Sequence, residues 1–332
     1  MKKVNRRTAL GALGAAGVAL MGDPLIPFET NSRDPRRRAL AKFSARTRQG
    51  LLRLLNQTDF EGRIPAASAR SLGQAEGKTA EELMIALLPL ARTYARPPVS
   101  NYQVGAVVRG ASGSLYLGAN LEIPGQALGF SVHAEQSALS NAYGHDEKGV
   151  TSIAVTAAPC GHCRQFMNEL SPRGEIQVWA GGRPPQSLSS LLPLAFGPED
   201  LGLEHGAFPV IETNLAAPRG GTDRLTLAAL EAARKSWAPY TKAQSGVALV
   251  TKQGRIHRGS YIENAAFNPS LPPLEAALAA LILAGGEPAE VSRAVLVERQ
   301  NALISQQGIS EIVLRAVAPA ARLEVVTVLT KA

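Results

Sequence analysis

The sequence predicts an α/β protein in which a mixed β-sheet with helices on its faces occurs twice. Three observations carry that prediction. Strand-like and helix-like runs follow the order ββαβαβ between residues 104 and 180, an order that sets helices against a sheet with both parallel and antiparallel neighbours. A hairpin pattern then recurs without a gap: Gly105, Gly113, Gly118 and Glu122 are matched 141 residues later by Gly246, Gly254, Gly259 and Glu263. Finally, 332 residues with 45% hydrophobic content suffice for two cores of ordinary size.

In chain order, residues 1–33 are an N-terminal extension. Its first 22 residues place Lys2, Lys3, Arg6 and Arg7 before an apolar stretch from Ala9 to Met21, the layout of a twin-arginine export signal. Ala9-Leu10 stands where an aromatic–Leu pair would serve better, and no A-x-A cleavage site is clear. Residues 34–78 form a helical segment, with a basic amphipathic helix over 36–53 and a loop over 62–77. The first copy spans 79–199. It opens on a capping box, Thr79 with Glu82, before the apolar run LMIALLPLA. VGAVVRG and LYLGAN pair as a hairpin around the turn ASGS. A helix from about His133 to Gly144, a strand VTSIAVT, a helix PCGHCRQFMNEL and a strand EIQVWA follow. Residues 181–221 are rich in Pro, Gly and Ser and read as an arm, with 200–221 as the linker. The second copy spans 222–332 and begins with a helix over 222–237.

Net charge is +8, but residues 1–38 carry five of those charges. The remainder is close to neutral, which argues against a nucleic-acid partner. No apolar run reaches the roughly 18 residues of a membrane span. The two cysteines, Cys160 and Cys163, provide no disulfide framework.

Those cysteines lie in Pro-Cys-x-x-Cys, downstream of His133-Ala134-Glu135. Zinc takes thiolate and imidazole ligands in a tetrahedral shell, and a catalytic site leaves the fourth position open. His133, Cys160 and Cys163 supply three ligands. Cysteines at i and i+3 share one face of a starting helix, and the helix N-terminus favours their thiolates. Ser131 is the expected cap of the helix that carries Glu135, a carboxylate placed for general acid–base work. His162 is expected to face away from the metal. In the second copy the corresponding stretch reads LPPLEAALAAL, without histidine, and no cysteine follows Cys163. The second copy cannot build this site.

H-x-E with P-C-x-x-C is the signature of zinc deaminases. With VGAVVRG, LGANLE, VHAEQSALS, PCGHCRQFMNEL, AFGPEDL, SGVAL and GSYIENAAFNPSLPPL, the chain from about residue 34 to its end resembles the cytidine deaminases of the long-chain homodimeric bacterial type. The resemblance implies a three-layer αβα cytidine-deaminase-like fold, duplicated, with one Zn2+ per subunit and a homodimer. It implies hydrolytic deamination of cytidine and deoxycytidine in pyrimidine salvage: zinc activates a water for attack at C4, and Glu135 shuttles protons to N3 and the departing amine. It assigns Asn120 and Glu122 to the ribose hydroxyls; Glu122 would repel a 3′-phosphate, favouring free nucleosides over polynucleotides. Tyr102 stands where the family stacks a phenylalanine on the base. Ala134 would offer its N–H to the pyrimidine carbonyl, and Phe196 would reach a neighbouring subunit's site. On spacing alone, Asn120 and Glu122 read first as turn caps, and Phe196 reads equally as a core residue. The resemblance implies a cytosolic enzyme; residues 1–22 keep export to the periplasm as the alternative. Other readings of the same motifs are a polynucleotide cytosine deaminase, a thiol–disulfide oxidoreductase using CGHC, and a closed structural zinc or nucleic-acid module.

Overall fold

The computed structural model describes residues 34–58, 60–171, 176–218 and 223–331. The signal-like stretch over residues 1–22 lies outside them. Residues 35–332 form one compact unit.

Two helices, α1 (Pro35–Ala39) and α2 (Ala45–Leu55), replace the single helix expected over 36–53. Ser44 divides them, accepting the Thr47 N–H at 3.3 Å as the cap of α2. The expected loop over 62–77 instead holds β1 (Arg63–Ile64) and α3 (Ala66–Glu76). Pro65 precedes α3, where a missing N–H costs nothing, alanines favour the helix, and left-handed Gly77 ends it at φ 61°. Helix α4 (Ala80–Arg92) starts at the expected capping box, with Glu82 N–H donating to Thr79 Oγ1 at 3.2 Å and Thr79 N–H to Glu82 Oε2 at 2.8 Å.

The first sheet adds β2 (Gly105–Gly110), β3 (Leu115–Ala119), β4 (Val150–Val155), β5 (Gln177–Ala180) and β6 (Gln186–Ser187). Its order is β1-β3-β2-β4-β5-β6, and β4–β5 is its parallel pair. Helix α5 (Ala134–Gly144) connects β3 to β4, α6 (Gly161–Leu170) connects β4 to β5, and α7 (Leu188–Leu191) follows β6. Helices cover both faces of this sheet. Gly105 pairs with Ala119 and Ala106 with Gly118, so Gly105 and Gly118 point to opposite sides. A Cβ at Gly105 would strike α4 at Arg92, and one at Gly118 would strike α5 at Ala134 and Ala138.

The second copy runs α8 (Arg224–Arg234), β7 (Ser245–Thr251), β8 (Ile256–Ser260), α9 (Pro273–Leu283), β9 (Val291–Arg299), α10 (Gln307–Val317) and β10 (Arg322–Val328). Asp223 caps α8 by accepting the Thr226 N–H at 2.8 Å, and the helix stops at Arg234, short of the expected 237. This sheet has the order β10-β9-β7-β8, again mixed, with β9 and β10 parallel.

The duplication is exact in detail through the hairpin. Register slips fall between Arg109 and Gly110 and between Val250 and Thr251, the same place in each copy. Beyond the hairpin the copies diverge: Leu121 bridges Val132, but Ile262 bridges Leu271, so this connection is two residues shorter in the second copy. Both copies share one hydrophobic core that includes Leu87, Val107, Ile153, Leu278 and Leu296.

Candidate metal centre and active site

Two helix starts meet at the candidate site. His133 is the N-cap of α5, not Ser131 as expected, and Cys160 is the N-cap of α6. Cys163 lies buried in the first turn of α6. Both helices therefore direct their positive ends at the same place.

His133 Nδ1 lies 3.4 Å from Cys160 Sγ and 3.2 Å from Cys163 Sγ, and the two sulfurs are 3.7 Å apart. Zinc at about 2.3 Å from sulfur and about 2.05 Å from nitrogen requires tetrahedral edges of about 3.8 Å (S···S) and about 3.6 Å (N···S). The triangle fits. Among the described residues, this is the grouping of three His, Cys, Asp or Glu side chains able to hold a metal. His162 lies outside it, its ring 5.6 Å from that of His133.

The electrostatics suit a cation. Cys160, accepting hydrogen bonds from Cys163 and His133, has its pKa lowered to about 3. The neighbouring Cys160, burial and Glu135 push the Cys163 thiol up. Zinc takes cysteine as thiolate, so a bound metal would displace the thiol protons that remain. Glu135 occupies the first turn of α5 with 4% exposure. Burial raises its pKa, which suits a carboxyl that must take up a proton and release it again.

The residues expected to meet the substrate fall on α5 and on loops. Ala134 is the first residue of α5, and such an N–H has no intrahelical acceptor. Glu122 is near enough for its charge to act on His133. Asn120 and Glu122 also do what their spacing allowed: they hold the loop over 97–104. Asn120 Oδ1 accepts the Val104 N–H and its Nδ2 donates to the Tyr102 carbonyl, both at 2.9 Å. Glu122 Oε2 accepts the N–H groups of Val99 and Ser100 at 2.9 Å, and its Oε1 accepts Ser100 Oγ–H at 2.5 Å. Tyr102, on that loop, is 54% exposed. Phe196 is 45% exposed rather than a core residue, and its carbonyl accepts from Gln165 Nε2 on α6.

Sequence reasoning missed two contributors. Gln136 Oε1 accepts the His133 N–H at 3.2 Å, fixing the backbone of a metal ligand. Ser100 anchors the loop to Glu122. A signal for Ser100 existed, because the 141-residue offset extends to Pro98-x-Ser100 and Pro239-x-Thr241.

Residues 78–178 match a family model described as cytidine and deoxycytidylate deaminase zinc-binding region, and residues 188–311 match a second model of the same description. Over 276 residues the chain is 44% identical to a cytidine deaminase of Pectobacterium atrosepticum, covering 83% of this chain and 93% of that one. It is 43% identical over 281 residues to a cytidine deaminase of Vibrio vulnificus, covering 85% and 95%. A Shewanella sp. cytidine deaminase is 42% identical over 281 residues, covering 85% and 94%.

Proposed function

The chain belongs to the cytidine and deoxycytidylate deaminase family and has cytidine deaminase activity, and we propose that Glu135 is the residue that moves its protons. The observation that carries this is the His133–Cys160–Cys163 triangle, with the edges of a tetrahedral zinc site and a buried carboxyl in the adjoining helical turn.

Zinc held by His133, Cys160 and Cys163 would supply a water of lowered pKa, ready to give up a proton near neutral pH. Glu135 accepts that proton and holds it, as its raised pKa favours. It gives that proton to N3 as the C4–O bond forms, then takes the proton of the new hydroxyl at C4 and gives it to the amine as the C4–N bond breaks and ammonia leaves. The Ala134 N–H, at a helix start, receives the pyrimidine carbonyl. Asn120 and Glu122 present their remaining hydrogen-bonding capacity to the ribose hydroxyls, and Tyr102 offers its ring to the base. A carboxylate at Glu122 disfavours a 3′-phosphate, so cytidine and deoxycytidine are the substrates.

The chemistry is assigned to residues 79–199 and a supporting role to 222–332. A homodimer completes the proposal: Phe196, Leu128, Leu194 and Phe267 are exposed apolar side chains that a second copy would cover. No helix among the described residues is long and apolar enough to cross a membrane. The family's nucleoside chemistry suits the cytosol, and fractionation of cells making the full chain tests this against export through Arg6–Arg7.

Ammonia release from cytidine, measured with zinc content, is the deciding experiment. Wild type is expected to be active with one zinc per chain. Glu135→Gln is expected to keep the zinc and lose about 10²–10⁴-fold in turnover; full activity in that variant refutes the assignment.

A further inference from the structure

The degenerate copy has kept the loop that Glu122 clamps in the first copy. Arg96 bridges Leu121 as Trp237 bridges Ile262. Asn101 and Lys242 occupy the same left-handed position, each at φ 57°. The carboxylate clamp persists too. Glu263 accepts the Tyr240 and Thr241 N–H groups at 2.8 and 3.2 Å and Thr241 Oγ1–H at 2.6 Å, repeating Glu122 bond for bond.

What has changed is what this loop holds. Trp237 Nε1 and Tyr240 OH both donate to Glu169 Oε1 at 2.7 Å, and the Ala265 N–H donates to Glu169 Oε2 at 2.8 Å. Asn264 Nδ2 donates to the Gln165 carbonyl at 3.1 Å. Glu169 and Gln165 belong to α6, the helix that starts at Cys160 and carries Cys163. Glu169 has no solvent exposure.

We propose that the degenerate copy is a receptor for the metal helix. Its loop grips Glu169, and Glu169 is thereby a positioning residue for Cys160 and Cys163. A helix transmits such a grip because it is stiff: six residues separate Cys163 from Glu169, about 9 Å along the axis. A buried carboxylate held by three donors leaves α6 little freedom to slide or turn. The metal site needs that, since its sulfur and nitrogen edges must match one tetrahedron within a few tenths of an ångström. A second bond at Gln165, on another turn of the same helix, limits tilting as well.

The inference rests on the zinc assignment, and its test separates the two. Zinc transfer from full-length protein to a chromogenic chelator gives the affinity of wild type, Glu169→Gln, Tyr240→Phe and the double variant. Glu169→Gln turns an amide NH2 toward the Ala265 N–H, and zinc affinity is expected to fall about tenfold, as for other supporting shells of metal ligands. Tyr240→Phe removes one bond with little change of shape, so it keeps the test open should Glu169→Gln not fold. The double variant is expected to lose less than the product of the two singles, because both act through one contact. Val297→Ala, in the small core under α8, is expected to lower Tm with zinc affinity unchanged. Zinc affinity within twofold of wild type in both folded single variants overturns the proposal, leaving Glu169 a stability brace. An equal loss of affinity in Val297→Ala overturns it too. Wild type lacking one zinc per chain would sink the metal assignment itself, and the proposal with it.

Discussion

Gln136 and Glu275 sit at the same point of their helices, the third residue after the cap, and meet opposite circumstances. Gln136 accepts the His133 N–H and donates to the Pro269 carbonyl at 3.3 Å. Glu275 follows Pro272, which has no N–H to give, and among the described residues its buried oxygens have no hydrogen-bond partner. Burial raises its pKa from 4.5 to about 8. A raised folded-state pKa means that the folded chain keeps a proton which the unfolded chain releases above about pH 4.5. Glu275 therefore costs stability increasingly as pH rises toward 8. Glu275→Gln is expected to raise Tm, with a gain that is small at pH 5 and reaches a few kcal/mol by pH 8; thermal melts across that range would contradict this with a pH-independent shift. At this scale the sequence disclosed the His133, Cys160 and Cys163 triad, because ligand chemistry dictates residue type and spacing. It did not disclose Glu169, whose partners lie 68 to 96 residues away with no local pattern to mark them.

Elements were legible where a pattern had one physical cause. Gly113 and Gly254 sit in the hairpin turns at φ 85° and 80°, a backbone region that disfavours other residues. Gly118 and Gly259 recur because a helix crosses each of them. A Cβ at Gly118 would lie 2.2 Å from Ala138 N and 2.4 Å from Ala134 O, and one at Gly259 2.2 Å from Pro273 O. These are backbone atoms, so Gly118→Ala must lift the start of α5 and carry His133 and Glu135 with it. The expected cost is about 1–3 kcal/mol in chemical denaturation, together with weakened zinc binding. Gly259→Ala is expected to cost similar stability with a smaller effect on zinc; equal zinc loss in both would count against this account. Legibility failed over residues 62–77, where Pro65, Gly73 and several serines suggested a loop. Pro65 marks a helix start instead, and Gly73 is buried within that helix, its Cβ position 3.0 Å from the Lys78 carbonyl oxygen.

At the scale of the molecule, the two copies are halves of one folding unit. Beyond the common core, Arg96 forms a two-point pair with Glu287 at 2.6 and 3.1 Å, and the Tyr143 hydroxyl donates to the Lys235 carbonyl. Residues 35–221 made alone would expose that core and leave Glu169 without its three donors. Such a fragment is expected to be aggregated or to exchange its amide hydrogens freely; a monomeric, protected fragment would show that the first copy folds by itself. The sequence revealed the duplication through glycines at one fixed offset. The shorter connection before Leu271 was hidden, because the offset holds through Glu263 and the lost histidine left nothing to align beyond it.

That shorter connection bears on any attempt to build a metal site into the second copy. There the backbone differs from the first copy as well as the ligands. Position 272, where α9 takes its cap, is a proline, the approach to it is two residues short, and the helix after β9 starts only at Gln307, eight residues past the strand end at Arg299. Restoring a histidine and two cysteines would put donors on a frame that no longer brings them together. A working site would need its connections re-spaced as well as its ligands supplied.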